Sequence, residues 1–158
     1  MPSSINAAAV RKLLTTPPVH ITPSPADWRD VLIYFLMVDR FNNSDAPPRH
    51  LPFDAQFNGF QGGTIAGIQA KLPYLKQLGV GAIWFTPVLF NSQKLNGMPN
   101  EGVYHGYGIE DFLSIDPRFA SNTANPEGEL QTFISAAHAL GIYIIFDIVL
   151  NHTGDVFD

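Results

Sequence analysis

Three stretches of the chain are apolar at nearly every position. Between them lie stretches in which apolar residues return every three or four positions. The continuous runs are Val31–Val38 (VLIYFLMV), Val80–Thr86 (VGAIWFT) and Ile142–Leu150 (IYIIFDIVL). A run apolar on both faces suits a parallel strand covered on both sides. In the third run Ile142, Ile144, Ile145, Ile148 and Val149 are β-branched, which favours strand over helix. The periodic stretches predict helices. Ile65, Ile68, Leu72, Leu75 and Leu78 share one face, with Thr64 as N-cap and Gly79 as the stop. Pro73 falls inside that pattern and should kink or restart the helix. Asn125-Pro126-Glu127 supplies a cap, a first-turn proline and a first-turn acid. Leu130, Phe133, Ile134, Ala137 and Leu140 then form a buried face that ends at Gly141. The order strand, helix, strand, helix, strand predicts an α/β fold with a parallel sheet and right-handed crossovers.

Two segments stand outside this alternation. Residues 1–27 carry Pro2, Pro17, Pro18, Pro23 and Pro25 and read as a leader or linker, with a short helix through Asn6–Leu14 and Trp28 anchoring the end. Residues 28–158 hold the alternating elements. Within them Val88–Asn125 is a long connection, expected to be functional or to carry small elements of its own.

Composition narrows the classes. A length of 158 residues suits one domain, and 46% hydrophobic with 15% charged residues allows a sizeable core. The net charge of −5 and the lack of a basic run argue against a nucleic-acid partner. No cysteine is present, which removes disulfides, thiolate metal sites and a cysteine nucleophile. No apolar run approaches the roughly 20 residues of a membrane span. Arg11 and Lys12 are not followed by the apolar segment of a signal peptide. The compartment stays open.

Polar residues that interrupt or follow the apolar runs are the chemical candidates. Asp147 lies inside the third run, where a carboxylate is costly unless paired or hydrogen-bonded. It is either a site residue or a buried carboxylate bonded to its surroundings for structural reasons. Asn151 and His152 follow it, and ligands gather at the carboxyl ends of strands in α/β sheets and barrels. Asp39-Arg40-Phe41 follows the first run, and a loop-shaping ion pair is the favoured reading of its charges. Asn42–Asn58 is rich in Asn and Asp. Those oxygens could ligate calcium, but the same residues are ordinary turn formers. Gly62-Gly63 lacks the flanking pattern of a phosphate loop. Tyr104-His105-Gly106-Tyr107-Gly108 is either a stacking surface for a flat ligand or a glycine-rich turn with its tyrosines packed inward. His138, near a helix C-terminus, reads as a cap.

With these residues assembled, the chain resembles the α-amylase family, glycoside hydrolase family 13. Asp147-Ile-Val-Leu-Asn151-His152 is similar to the family's signature Asp-x-Val-x-Asn-His at its third barrel strand. Tyr104-His105-Gly106-Tyr107 resembles the loop whose second tyrosine stacks on sugar. Leu78–Pro87 and Tyr34–Phe41 resemble its second and first strands. The resemblance implies the N-terminal portion, about three strands, of a (β/α)8 TIM barrel acting on α-1,4-linked glucan or maltooligosaccharide. It implies that Tyr107 and His152 contact the sugar, that His105 lies beside them, and that Asp147 shapes the site without being the nucleophile. It makes Asn151 a ligand of a structural calcium. Gly108 stands where exo-acting members carry Asp and many endo-acting ones Trp, which leaves the subsites open. Thr64 follows Gly62-Gly63 where some members place an Asp on a second calcium.

The family's nucleophile, acid/base and third essential carboxylate lie on later strands. Asp39, Asp111, Asp116 and Asp147 do not match those roles. The expectation is therefore an amino-terminal part of a longer retaining enzyme, without hydrolysis by these 158 residues alone. The alternative is a non-catalytic carbohydrate-binding or scaffold protein built on the same half-barrel.

Overall fold

The computed structural model describes residues 4, 6–15, 22–43 and 59–154. The chain divides into two compact units, Met1–Asp30 and Val31–Asp158. In the first, helix α1 spans Ala8–Thr15, close to the expected helix, and the Thr15 hydroxyl donates back to the Arg11 carbonyl at 2.9 Å. A single helical turn covers Trp28–Asp30. Beside it Arg29 and Asp27 form an exposed ion pair at 2.6 Å, which holds the Asp27 carboxyl below its usual range.

The second unit contains β1 (Ile33–Leu36), α2 (Val38–Phe41), α3 (Ile65–Ala70), α4 (Leu72–Gln77) and β2 (Ala82–Phe85). It continues with β3 (Leu89–Asn91), β4 (Lys94–Leu95), β5 (Met98–Pro99), β6 (Ile109–Ile115), α5 (Pro126–Ala139) and β7 (Tyr143–Phe146). Strands β1, β2 and β7 form a parallel sheet in that order, with Ile33, Ala82 and Tyr143 in register. One face carries Leu36, Ile83 and Phe85, which pack with Ile65, Ile68, Leu72, Leu75, Leu130 and Phe133 of the helices. On the opposite face Phe35 and Trp84 meet edge to face at 4.8 Å and stay 49% and 41% exposed. The helices thus cover one of the two apolar faces that the runs predict.

The strands are shorter than their apolar runs. The first run breaks at Met37, because Val38 begins the turn of α2 and its N–H meets the Thr86 hydroxyl at 3.3 Å. The third run was expected to stay in the sheet to Leu150, but pairing ends at Phe146. Its neighbour β2 ends at Phe85, and Pro87 beyond it has no N–H for the ladder. Ile148 and Leu150 are exposed accordingly.

The helix signals hold locally. The Thr64 hydroxyl accepts from the Gly67 N–H at 3.0 Å, and the Asn125 side chain from the Gly128 N–H at 3.1 Å. The predicted interruption falls at Lys71, so Pro73 sits in the first turn of α4, where a missing N–H costs nothing. Gly79 and Gly141 end their helices at φ +88° and +69°. Glu129 adds a tie between helices that the pattern did not suggest. It accepts from Ala66 N–H in the first turn of α3 at 2.8 Å, and from Asn122 N–H at 2.7 Å. The connection 88–125 carries its own elements, an antiparallel β3–β6 pair and a β4–β5 hairpin.

The end of β1 is organised by Asp39, which is 1% exposed. Its carboxylate accepts from Gln61 N–H at 2.9 Å and Gly62 N–H at 2.9 Å, and pairs with Arg40. Arg40 also donates to the Gly59 carbonyl at 2.9 Å. The pair therefore shapes the loop, as expected. Gly63 is obligatory there, because a Cβ would lie 2.2 Å from the Val38 carbonyl oxygen. Most of the Asn- and Asp-rich loop 42–58, open to a turn or a calcium reading, lies outside the described residues. Of its members, Asn42 and Asn43 donate to the Gly67 and Gly62 carbonyls at 3.0 and 2.7 Å. Among the described residues no helix is long and apolar enough to cross a membrane.

Asp39→Ala should lower stability by about 3 kcal/mol, because it strands buried N–H groups and a partly buried guanidinium. Asp27→Ala, at the exposed pair, should leave the urea midpoint unchanged. Equal midpoints for the two variants would contradict this account.

Candidate functional site

The sequence candidates converge where the sheet's carboxyl end meets the Tyr104–Gly108 loop. Asp147 is the first residue after β7. Its Oδ2 accepts from the Tyr107 hydroxyl at 2.9 Å. The Tyr107 carbonyl accepts from His152 Nε2 at 3.1 Å. His105 Nδ1 accepts from the Tyr107 N–H at 3.0 Å, and the two rings stack with centroids 5.5 Å apart. Tyr107 thus touches the three other residues, His105, Asp147 and His152, that the resemblance places at the sugar site. Asn151 is exposed and has no hydrogen-bond partner among the described residues. It lines an open pocket with Phe112, Leu150, His152 and Thr153.

Glycines fix this geometry. Gly106 has φ +84°, and a Cβ there would lie 1.9 Å from the Pro87 carbonyl oxygen, so the loop presses on the end of β2. A Cβ on Gly154 would lie 2.4 Å from the Gly108 carbonyl oxygen, and the Gly154 N–H donates to Ile109 at 2.6 Å. The segment after β7 and the tyrosine loop therefore meet backbone to backbone. The two sequence readings of that loop divide between its tyrosines. Tyr104 packs against the core, with the Arg40 guanidinium 4.0 Å over its ring. Tyr107 turns its hydroxyl to the strand end.

Burial and charge set the protonation states. Burial pushes the His105 pKa down, and a neutral ring suits the hydrogen bond that Nδ1 accepts. Tyr107 is pushed up to about 12, first by burial, then by its hydrogen bond to Asp147 and that residue's charge. It is a neutral donor throughout the ordinary pH range. Among the described residues no three His, Asp or Glu side chains come together as a metal site.

Several residues now tied to the site were missed in the sequence. Asn91 stood inside the unassigned connection. Asp116 and Arg118 lie in the same connection, where Asp-Pro-Arg carries a usable turn signal. Asp116 accepts from the Arg118 N–H at 2.9 Å across Pro117, a side-chain-capped turn.

Parallel strands with a polar cluster at their carboxyl ends are shared by open α/β sheets and (β/α) barrels, and the solved structures that match this chain include alpha-amylases, which makes these the N-terminal strands of a (β/α) barrel. A family model described as "Alpha amylase, catalytic domain" matches residues 35–158, and the chain belongs to the α-amylase family. It is 36% identical over 146 residues to the periplasmic alpha-amylase of Escherichia coli (strain K12), covering 84% of this chain and 20% of that protein. It is 41% identical over 109 residues to an alpha-amylase of Streptomyces lividans, covering 67% of this chain and 11% of that one. Among solved structures, an alpha-amylase from Geobacillus thermoleovorans complexed with acarbose matches with TM-score 0.65 and 41% identity. That match covers 81% of this chain and 24% of the other. The chain thus spans a quarter or less of the length of each of these relatives.

The site's pH response follows from the two shifts. The neutral His105 ring contributes stability above the ordinary histidine value of about 6.5, and that contribution is lost as pH falls through its lowered folded value. Protonated Tyr107 contributes below about 10, and its share is lost between there and about 12. Ring-resonance titration by NMR should find His105 titrating below the ordinary histidine value and Tyr107 still protonated at about pH 11. Ordinary values for both would contradict the burial account.

Proposed function

We infer that this chain supplies the sugar platform of an α-glucan-active glycoside hydrolase that works by double displacement on α-1,4-linked glucan or maltooligosaccharide. One observation carries the reading. Tyr107, held by Asp147 and flanked by His105 and His152, offers a fixed aromatic face and neighbouring imidazole groups at the carboxyl end of a parallel sheet. Aromatic faces and directional polar groups are what a pyranose ring requires of a site. Family membership supplies the reaction class.

Among the described residues, the carboxylates Asp39, Asp111, Asp116 and Asp147 support a platform role over a catalytic one. Retaining hydrolysis needs two carboxyl groups about 5–5.5 Å apart, one as nucleophile and one as acid/base. Asp39 is held by Arg40 and Asp116 by Arg118. Asp111 accepts from Leu113 N–H and the Ser114 hydroxyl, and Asp147 from Tyr107. The nucleophile and acid/base are therefore assigned to residues outside these 158.

Calcium enters through Asn151. Its amide oxygen is a hard, neutral donor of the kind calcium takes, and among the described residues no hydrogen bond competes for it. It fits one position of a shell of roughly six to eight oxygens, the others coming from elsewhere. Bound there, the ion would order the segment after β7 and with it His152.

The 158 residues should bind maltoheptaose without cleaving starch. Tyr107→Ala should weaken that binding about tenfold in a calorimetric titration. Starch cleavage by the 158 residues alone would overturn the platform reading. Binding that survives Tyr107→Ala unchanged would remove the stacking role.

A further inference from the structure

Tyr107 is gripped from a direction that the site residues do not explain. Asn91, the last residue of β3, is fully buried and every polar group it owns is engaged. Its Oδ1 accepts from the Gly108 N–H at 2.7 Å, and its Nδ2 donates to the Leu89 carbonyl at 2.6 Å. Only this orientation of the amide satisfies both neighbours. A flipped amide would set NH₂ against N–H and oxygen against oxygen. The next residue completes the grip, because the Ser92 N–H donates to the Gly108 carbonyl at 2.8 Å. Both backbone polar groups of the residue after Tyr107 are thus held by residues 91 and 92. A Cβ on Gly108 would sit 2.6 Å from Val103 Cγ1, so the third side is closed as well.

The base of this grip is itself fixed. Asp116 is fully buried, and its Oδ2 accepts from the Asn91 N–H at 3.1 Å. Arg118 pairs with Asp116 at 2.7 Å and donates to the carbonyls of Ser92 and Asn100, at both feet of the β4–β5 hairpin. The β3–β6 register shifts twice within three residues, between Leu89 and Phe90 and between Phe90 and Asn91. Such irregularities re-aim a side chain, and here the re-aimed one is the amide beneath Gly108.

We propose that Asn91 is a positioning residue for Tyr107, holding Gly108 so that the ring and hydroxyl stand at the strand end, with the Asp116–Arg118 pair holding Asn91 in turn. The assignment of a sugar to that ring rests on the function inferred above; the positioning does not.

The experiment is an NMR titration of ring-labelled tyrosine in the intact chain, with Tyr107 assigned through Tyr107→Phe. In Asn91→Ala the Tyr107 hydroxyl should leave Asp147 and titrate back toward the ordinary value of about 10. Phe133→Leu, in the core, should destabilise the protein and leave Tyr107 unmoved. An unmoved Tyr107 in Asn91→Ala, or an equal movement in Phe133→Leu, overturns the proposal. If Asn91→Ala does not fold, hydrogen exchange in the unaltered protein decides. A Gly108 amide exchanging slowly supports the grip, and one exchanging like an open loop overturns it. Maltotetraose affinity should fall about two- to tenfold in Asn91→Ala. No binding by the unaltered protein, with Tyr107 displaced in Asn91→Ala, sinks the glucan reading and leaves the positioning standing. Binding with Tyr107 unmoved does the reverse.

Discussion

A buried carboxylate at the end of β1 carries more of this structure than its size suggests. Asp39 cannot lie in the interior as a bare charge, since desolvation would cost several kcal/mol. It is tolerated because two backbone N–H groups and Arg40 surround it. The two N–H groups come from the segment that enters α3, so satisfying the charge fixes how the chain leaves the first strand and starts the first crossover. The same arginine lies over Tyr104, three residues from Tyr107. The electrostatics of a strand end and the placement of the site loop therefore meet in one ion pair.

The elements were legible where local chemistry decides them. Thr64, Asn125, Gly79 and Gly141 act through neighbours no more than a few residues away, and each does in the structure what its position indicates. The strands were legible as runs but not in length. Where a strand stops depends on whether its neighbour still offers a partner, and β7 stops because β2 does. That is a property of two segments far apart in the chain, and the apolar run alone does not contain it.

The candidate site divides in the same way. Asp147 and His152 were found because they break or follow an apolar run, and His105 and Tyr107 because glycines flank them. Their mutual contacts follow from backbone approaches at Gly106 and Gly154 that only the folded chain displays. Asn91 gave no sequence signal, because a polar residue in a long connection looks like any other loop residue. Its weight comes from complete burial and from facing Gly108. Glu129 is comparable: it stands out in no pattern of the chain, and its weight comes from accepting the Ala66 N–H at the start of another helix.

The hydrogen bond between Tyr107 and Asp147 has a further consequence for recognition. An aromatic side chain on a glycine-rich loop ordinarily samples several rotamers and loses that freedom when a ligand arrives. Here the hydroxyl is tied to Asp147, the N–H to His105 and the carbonyl to His152. The ring's two torsions and its backbone are already settled in the free protein. A flat ligand that stacks on Tyr107 meets an entropy loss already incurred during folding, so more of the contact energy appears as affinity. The ordering cost that remains belongs to the ligand.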